Sequence, residues 1–501
     1  MNQARNWVFL SILAAALLVL LLRMKPGPTH ESASARPLIL FCAAGVKPPV
    51  EEAAKIYEKA YGIPVQIQYG GSGTLLSNLR ISGVGDLFIA ADDSYMRIAE
   101  TNDLIAETIT LARMTPVIAV AKGNPKNVRT LGDLFLVNVA LANPDAAAIG
   151  KVTREILRST GEGQWEKLEK HARVFKPTVN DVANDVSLGT VDAAIVWDVT
   201  IPQYERLEGV HVEPLSTASQ TISIGVLMST KQPARALHFA RYIGARDRGL
   251  ESFIRHGYKP TEGDAWAERP EVVLFSGGIN RLAIEETIRQ FEEREGARIT
   301  RVYNGCGILV AQMKTGQKPD AYFACDISFM PEVQDHFEPA VTIARNDLVI
   351  IVQKGNPKSI LQLSDLAAPG LKLGVGNEGQ SALGALTTRL LKSIGLHEKV
   401  MSNVRVQTPT ADLLVNQMRT GALDAAIVYQ ANAQPVKDLM PIIPIHEPTA
   451  FATQPFAIGK HSSQRLLTGR LLNAIRSDAS RTRFESAGFQ WKVAGAKPGA
   501  P

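Results

Sequence analysis

The stretch Tyr69-Gly70-Gly71-Ser72-Gly73-Thr74-Leu75 returns in altered form as Tyr303-Asn304-Gly305-Cys306-Gly307-Ile308-Leu309, 234 residues later (303 − 69). Each copy follows a β-branched run, Val65-Gln66-Ile67-Gln68 or Arg298-Ile299-Thr300-Arg301-Val302, and leaves through an apolar helical pattern. A strand, a glycine turn and a helix in this order direct backbone N–H groups and a helix N-terminus at one point, where an anion can sit. Glycines in such a turn serve geometry alone just as well, so one copy decides nothing. The recurrence decides the fold.

Other segments recur in the same order. Val272-Val273-Leu274-Phe275 repeats a first strand at Pro37 to Phe41. Gly85-Asp86-Leu87-Phe88-Ile89-Ala90-Ala91-Asp92 returns as Pro319-Asp320-Ala321-Tyr322-Phe323-Ala324-Cys325-Asp326, again 234 residues on (320 − 86). Lys122-Gly123-Asn124-Pro125 returns at Lys354 and Asp192 to Trp197 at Asp424 to Tyr429, both 232 residues on (354 − 122, 424 − 192). Collinear matches with a small drift mean a duplication.

Within each copy, strands alternate with helices, the pattern of a parallel α/β sheet covered on both faces. The first copy reads as a helix from Pro48 or Pro49 to Gly62, strand 65–69, helix 74–82, strand 86–90 and one strand over 114–121, followed by a second set of βα units. A copy of about 220 residues suits two lobes joined by crossing strands, with ligand in the cleft at the strand C-termini. The strands that lead into the two Lys-Gly-Asn-Pro turns are the crossing points. The expected organisation is therefore an N-terminal segment, 1–36, and two modules, 37–265 and 266–501.

A chain of 501 residues exceeds one ordinary core, and 45% hydrophobic with 21% charged residues is globular composition. The net charge of +5 is dispersed among acidic residues, which argues against a nucleic-acid partner. Cys42, Cys306 and Cys325 exclude a disulfide framework and form no zinc-finger spacing. Trp7 to Leu22 is apolar apart from Ser11 and is flanked by Arg5, Arg23 and Lys25. It suits a hydrophobic helix serving as signal-peptide core or slightly short membrane anchor, and thus export. Ala33-Ser34-Ala35, the small-residue cleavage pattern, lies far beyond Leu22, which favours an uncleaved anchor. A Ser-His-Asp order or nucleophile elbow is not discernible, so the reading is of a binding protein without cofactor, not an enzyme.

Both copies resemble the periplasmic molybdate-binding proteins of ABC importers, members of the type II solute-binding fold, over roughly 37–259 and 271–494. The segments that carry the resemblance in the first copy are Leu38 to Gly45, Tyr69 to Leu75, Gly85 to Asp92, Asn143-Pro144 with Gly150, and Asp192 to Trp197. The resemblance implies a small oxyanion, molybdate or tungstate, held by two serine hydroxyls, backbone N–H groups and a tyrosine hydroxyl, and delivered to an ABC permease. Matched position by position, it implies ligand contacts at Gly45, Ser72, Ile149, Val179 and Trp197 in the first module. In the second it implies Ile279, Cys306, Leu383, Ala411 and Tyr429. Both sets depart from the pattern. Gly45 and Trp197 replace a serine and the tyrosine in the first module, and Ile279 and Cys306 replace both serines in the second. Each lost hydrogen bond to a charged ligand costs about 1.5–3 kcal/mol.

The departures leave a second reading open, a sensory or interaction module on the same fold. Cys306 and Cys325 would both lie at the strand edge facing the second cleft, as a disulfide, a site for a thiophilic metal or metalloid, or two compact buried side chains.

Overall fold

The computed structural model describes residues 36–493. The apolar stretch expected to be a helical anchor, residues 7–22, lies outside them. Among the described residues, no helix is long and apolar enough to cross a membrane.

The first module contains β1 (Leu38–Ala43), β2 (Val65–Gly70), β3 (Leu87–Ala90), β4 (Ile105–Met114), β5 (Pro116–Ala121), β6 (Val139–Ala142), β7 (Val174–Lys176), β8 (Ala193–Trp197), β9 (Leu207–Val210), β10 (Gln220–Leu227) and β11 (Lys259–Pro260). They form two sheets, ordered β11-β4-β10-β3-β1-β2 and β7-β6-β8-β5-β9. The strands β1, β2 and β3 run parallel, as do β6, β7 and β8, while the crossing strands pair antiparallel to them. The chain passes between lobes at Thr115 and again between β9 and β10.

Local sequence sets the elements. The helix Lys47–Tyr61 carries proline in its first turn, buries Val50, Ala53, Ala54 and Tyr57 along one face, and stops at Gly62 with φ 65°. That left-handed residue is the usual glycine terminator. Its counterpart Arg281–Glu295 stops at Gly296, φ 63°.

The second module repeats the plan with β12 (Glu271–Gly277), β13 (Arg298–Asn304), β14 (Ala321–Phe323), β15 (Val341–Val352), β16 (Leu373–Gly376), β17 (Val404–Thr408), β18 (Ala425–Tyr429), β19 (Ile442–Pro444), β20 (Phe451–Ile458) and β21 (Gln490–Trp491). Here β15 runs through both lobes and joins their sheets into one of ten strands. Leu348 explains the difference. Its N–H donates to Ala450 O at 2.8 Å, whereas Pro116, at the same point of the first module, has no N–H to give. The strand expected over 114–121 is Pro116–Ala121, and the strand Ile105–Met114 that precedes it was not anticipated from the sequence. The short strands β7 and β9 also escaped the sequence reading, because three or four residues carry too little periodicity.

The modules join through their first lobes. Helix Pro233–Ile243 packs on Arg281–Glu295. The Asp264 carboxylate accepts the N–H groups of Leu466 and Leu467, each at 2.9 Å, at the start of helix Arg465–Ile475. Buried Glu295 takes a two-point contact from Arg470 at 2.6 and 3.1 Å. The two first lobes thus form a shared base.

Candidate functional site

Where the lobes of the first module meet, one cavity is lined by Gly45, Ser72, Ile149, Val179 and Trp197, together with small residues such as Ala43 and Ala147. The five positions implied by the resemblance thus come together. Four of them stand at helix starts. Gly45 lies in the short turn Ala44–Val46 that feeds Lys47–Tyr61, and Ser72 is the first residue of helix Ser72–Ser82. Ile149 is the second residue of Ala148–Thr160, and Val179 the first of Val179–Ser187. First-turn N–H groups lack an intrahelical acceptor, and those of all four residues find none elsewhere among the described residues. Four positive helix ends converge on one point.

The glycines of the turn serve lobe closure. A Cβ on Gly71 would stand 2.2 Å from Ala146 O, and one on Gly73 2.2 Å from Asp145 O, both on the opposite lobe. Ala146 O instead accepts the N–H groups of Gly73 at 2.9 Å and Thr74 at 3.3 Å. The same latch recurs in the second module, where Gly307 N–H donates to Gln380 O at 3.2 Å. In this closed state the first cavity measures about 10 Å³, room for roughly one water.

Ser72 is buried, and its Oγ accepts the Ala91 N–H at 3.1 Å. A hydroxyl that is already accepting keeps its proton free to donate into the cleft. Among the described residues lining the cavity, none is charged. Trp197 fills the space that a side chain at 45 would need, since a Cβ there would meet Trp197 Cδ1 at 3.0 Å and Val179 Cγ1 at 3.2 Å. Gly45 and Trp197 therefore fit each other, the indole lying against the side-chain-free face of the glycine. Sequence reasoning missed Tyr258, whose hydroxyl donates to Gly45 O at 2.5 Å and fixes that turn. Nothing in the sequence marks a residue 213 positions away as a neighbour.

In the second module, Ile279, Cys306, Leu383 and Ala411 occupy the same helix-start positions, and Tyr429 ends β18; all are buried. Cys306 Sγ accepts the Cys325 N–H at 3.0 Å, the bond Ser72 makes to Ala91. Both cysteines are free thiols in this structure rather than a disulfide. The Cys325 sulfur packs against Gly277, where an added Cβ would stand 2.1 Å from it, at the entry to the turn Gly278–Asn280. Burial holds the Tyr429 hydroxyl far above its ordinary pKa, keeping it a neutral donor. Asp92 and Asp326 cap the next turns, through Ser94 N–H at 2.6 Å and Ser328 N–H at 3.0 Å. Among the described residues, no group of three or more His, Cys, Asp or Glu side chains is placed to hold a metal ion.

Two α/β lobes closing on convergent helix N-termini define a solute-binding protein of the ABC-importer type, present here in tandem. The chain belongs to the family of bacterial extracellular solute-binding proteins, whose model matches residues 38–259 and 272–490. It is 28% identical over 224 residues to the molybdate-binding protein ModA of Mycobacterium tuberculosis, covering 44% of this chain and 82% of that one. Among solved structures it is similar to the periplasmic molybdate-binding protein of Azotobacter vinelandii (20% identity, TM-score 0.39, 45% of this chain and 100% of that one). It is also similar to the substrate-binding domain of a molybdenum ABC transporter from Clostridium difficile (22% identity, TM-score 0.36, 45% and 99%). These relatives are binding proteins, and the family is extracytoplasmic.

Proposed function

We propose that this chain is an exported receptor that binds a small tetrahedral oxyanion of the molybdate or tungstate class in its first cleft and delivers it to an ABC permease, tethered to the membrane through residues 7–22. The observation that carries the reading is the cavity at Gly45, Ser72, Ile149, Val179 and Trp197, where four unpartnered helix-start N–H groups surround a serine hydroxyl. A desolvated dianion is stabilised there by fixed dipoles and charge-assisted hydrogen bonds. Because the closed cavity is smaller than such an ion, the lobes part to admit it and close less tightly around it.

Calorimetry of the full chain with molybdate, tungstate, sulfate and phosphate tests the proposal. One site per chain for a tetrahedral oxyanion is expected. Ser72→Ala should weaken it by about 1.5–3 kcal/mol, the worth of a hydrogen bond to a charged group. Unchanged affinity in that variant rejects the site, and silence toward all four anions rejects the ligand class.

A further inference from the structure

The two clefts differ at a linked set of positions. Ala43, Ser72 and Ala91 of the first module are Gly277, Cys306 and Cys325 in the second. The exchanges fit one another, because a Cβ on Gly277 would stand 2.1 Å from the Cys325 sulfur. Loss of a methyl at one position makes room for the sulfur at another. The two cysteines are in direct contact, the Cys325 N–H donating to Cys306 Sγ at 3.0 Å, and Tyr322, which stands where the first module has Phe88, brings a buried hydroxyl that finds no hydrogen-bond partner among the described residues.

The wall beside the thiols has turned polar as well. Val46, Met114 and Ile222 are replaced by Asn280, Asn346 and Gln454, all fully buried. Asn280 Oδ1, Asn346 Nδ2, Gln454 Oε1 and Tyr429 Oη each lack a hydrogen-bond partner among the described residues. Their other atoms tie two of them to the segment that carries Cys325: Gln454 Nε2 donates to the Cys325 carbonyl at 2.9 Å, and Asn280 Nδ2 to the Phe323 carbonyl at 2.9 Å. Buried polar atoms are paired as a rule, and a group of orphans beside two thiols marks a place that something else completes.

We propose that Cys306 and Cys325 form a binding site in the second cleft for a soft d10 cation of the cuprous or silver class. Each thiol loses a proton to solvent while the cleft is open, and each thiolate donates an electron pair to the cation, with no change of oxidation state. A monovalent cation with two thiolates carries one net negative charge. The helix starts suit that charge as they suit an oxyanion in the first cleft: Cys306 heads helix Cys306–Lys314, and the Cys325 sulfur packs at the entry to the turn Gly278–Asn280. The second cleft thus keeps the anion-binding frame and supplies the anion from its own side chains.

The test is a titration of the full chain, reduced and anaerobic, with Cu(I) against a chromophoric competitor, read also by native mass spectrometry. One ion per chain is expected, with affinity falling at least about 100-fold in Cys306→Ser and in Cys325→Ala. Both variants install the residues that the first module carries at these places, and unchanged melting curves verify the fold. Cys42→Ala, which removes the remaining thiol, should bind as the parent does. A reduced chain that takes up no ion, an ion retained by both variants, or uptake that depends on Cys42 overturns the proposal. Molybdate titration of the same variants reports on the first cleft separately, so the two readings fail independently.

Discussion

The two clefts share a frame and differ in what lies inside it. Both gather four helix starts, and both close by laying a carbonyl from one lobe on a glycine turn of the other. The first keeps a serine hydroxyl with a free proton among uncharged small residues. The second carries two thiols at the corresponding positions, together with buried side chains that each keep a polar atom without a partner among the described residues. Duplication preserved the helix starts at matching positions, and the side chains they carry then diverged.

The largest effect that would break this comparison comes from the latch. Alanine at Gly71 would put Cβ 2.2 Å from Ala146 O and 2.7 Å from Pro177 O, both across the cleft. The clash arises only on closure, so the unliganded fold should melt almost unchanged. Closure should lose about 1–3 kcal/mol, as for an overpacked core, and oxyanion affinity should fall about 5- to 150-fold. The mirror variant Gly305→Ala, whose Cβ meets Gln380 O at 2.2 Å, should leave oxyanion affinity untouched. Equal losses in both variants, measured by calorimetry, would mean that the clefts do not have separate tasks.

A smaller effect sharpens the account of the first cleft. Serine at Gly45 restores a hydroxyl that the family resemblance calls for, yet its Cβ would crowd Trp197 Cδ1 at 3.0 Å and Nε1 at 3.2 Å. The single change should cost about 1 kcal/mol of oxyanion binding, toward the mild end of overpacking. Combined with Trp197→Tyr, it should bind at least as well as the parent. A double variant no better than the single one would show that glycine and indole are not a compensated pair.

Much of this arrangement was legible in the sequence, because a duplication presents the same pattern twice. The collinear repeats gave the two modules, and the alternation of strands and helices gave the lobes. The matched positions from Gly45 to Trp197 proved to line one cavity. What stayed hidden depends on tertiary proximity. The clash that makes Gly71 obligatory involves a carbonyl 75 residues away (146 − 71), and Tyr258 reaches Gly45 from the end of the module. The exchange of Ala43 for Gly277 acquires meaning only beside the Cys325 sulfur. The glycine turn left two roles open, an anion cradle or loop geometry alone, and the N–H groups of Gly73 and Thr74 serve neither, being spent on the interlobe latch.

The smallest expected effect separates the modules by pH. His238 lies in the first module against the shared base, its Nδ1 2.8 Å from the Tyr57 hydroxyl and its ring centroid 5.0 Å from that of Trp266. Burial, with a lesser contribution from the nearby Arg241 charge, lowers its pKa from 6.5 to about 4. The unfolded chain then takes up a proton in this interval that the folded chain refuses. Stability from this residue is complete above about pH 6.5 and declines as pH falls toward 4. The repeat position in the second module is Arg470, charged throughout and paired with Glu295 at 2.6 Å, so it adds no such slope. Melting temperatures across this interval should therefore fall less steeply in His238→Gln than in the parent chain. The ring is only partly buried, so the difference is modest. Parallel slopes would assign the acid sensitivity to other groups and remove this distinction between the modules.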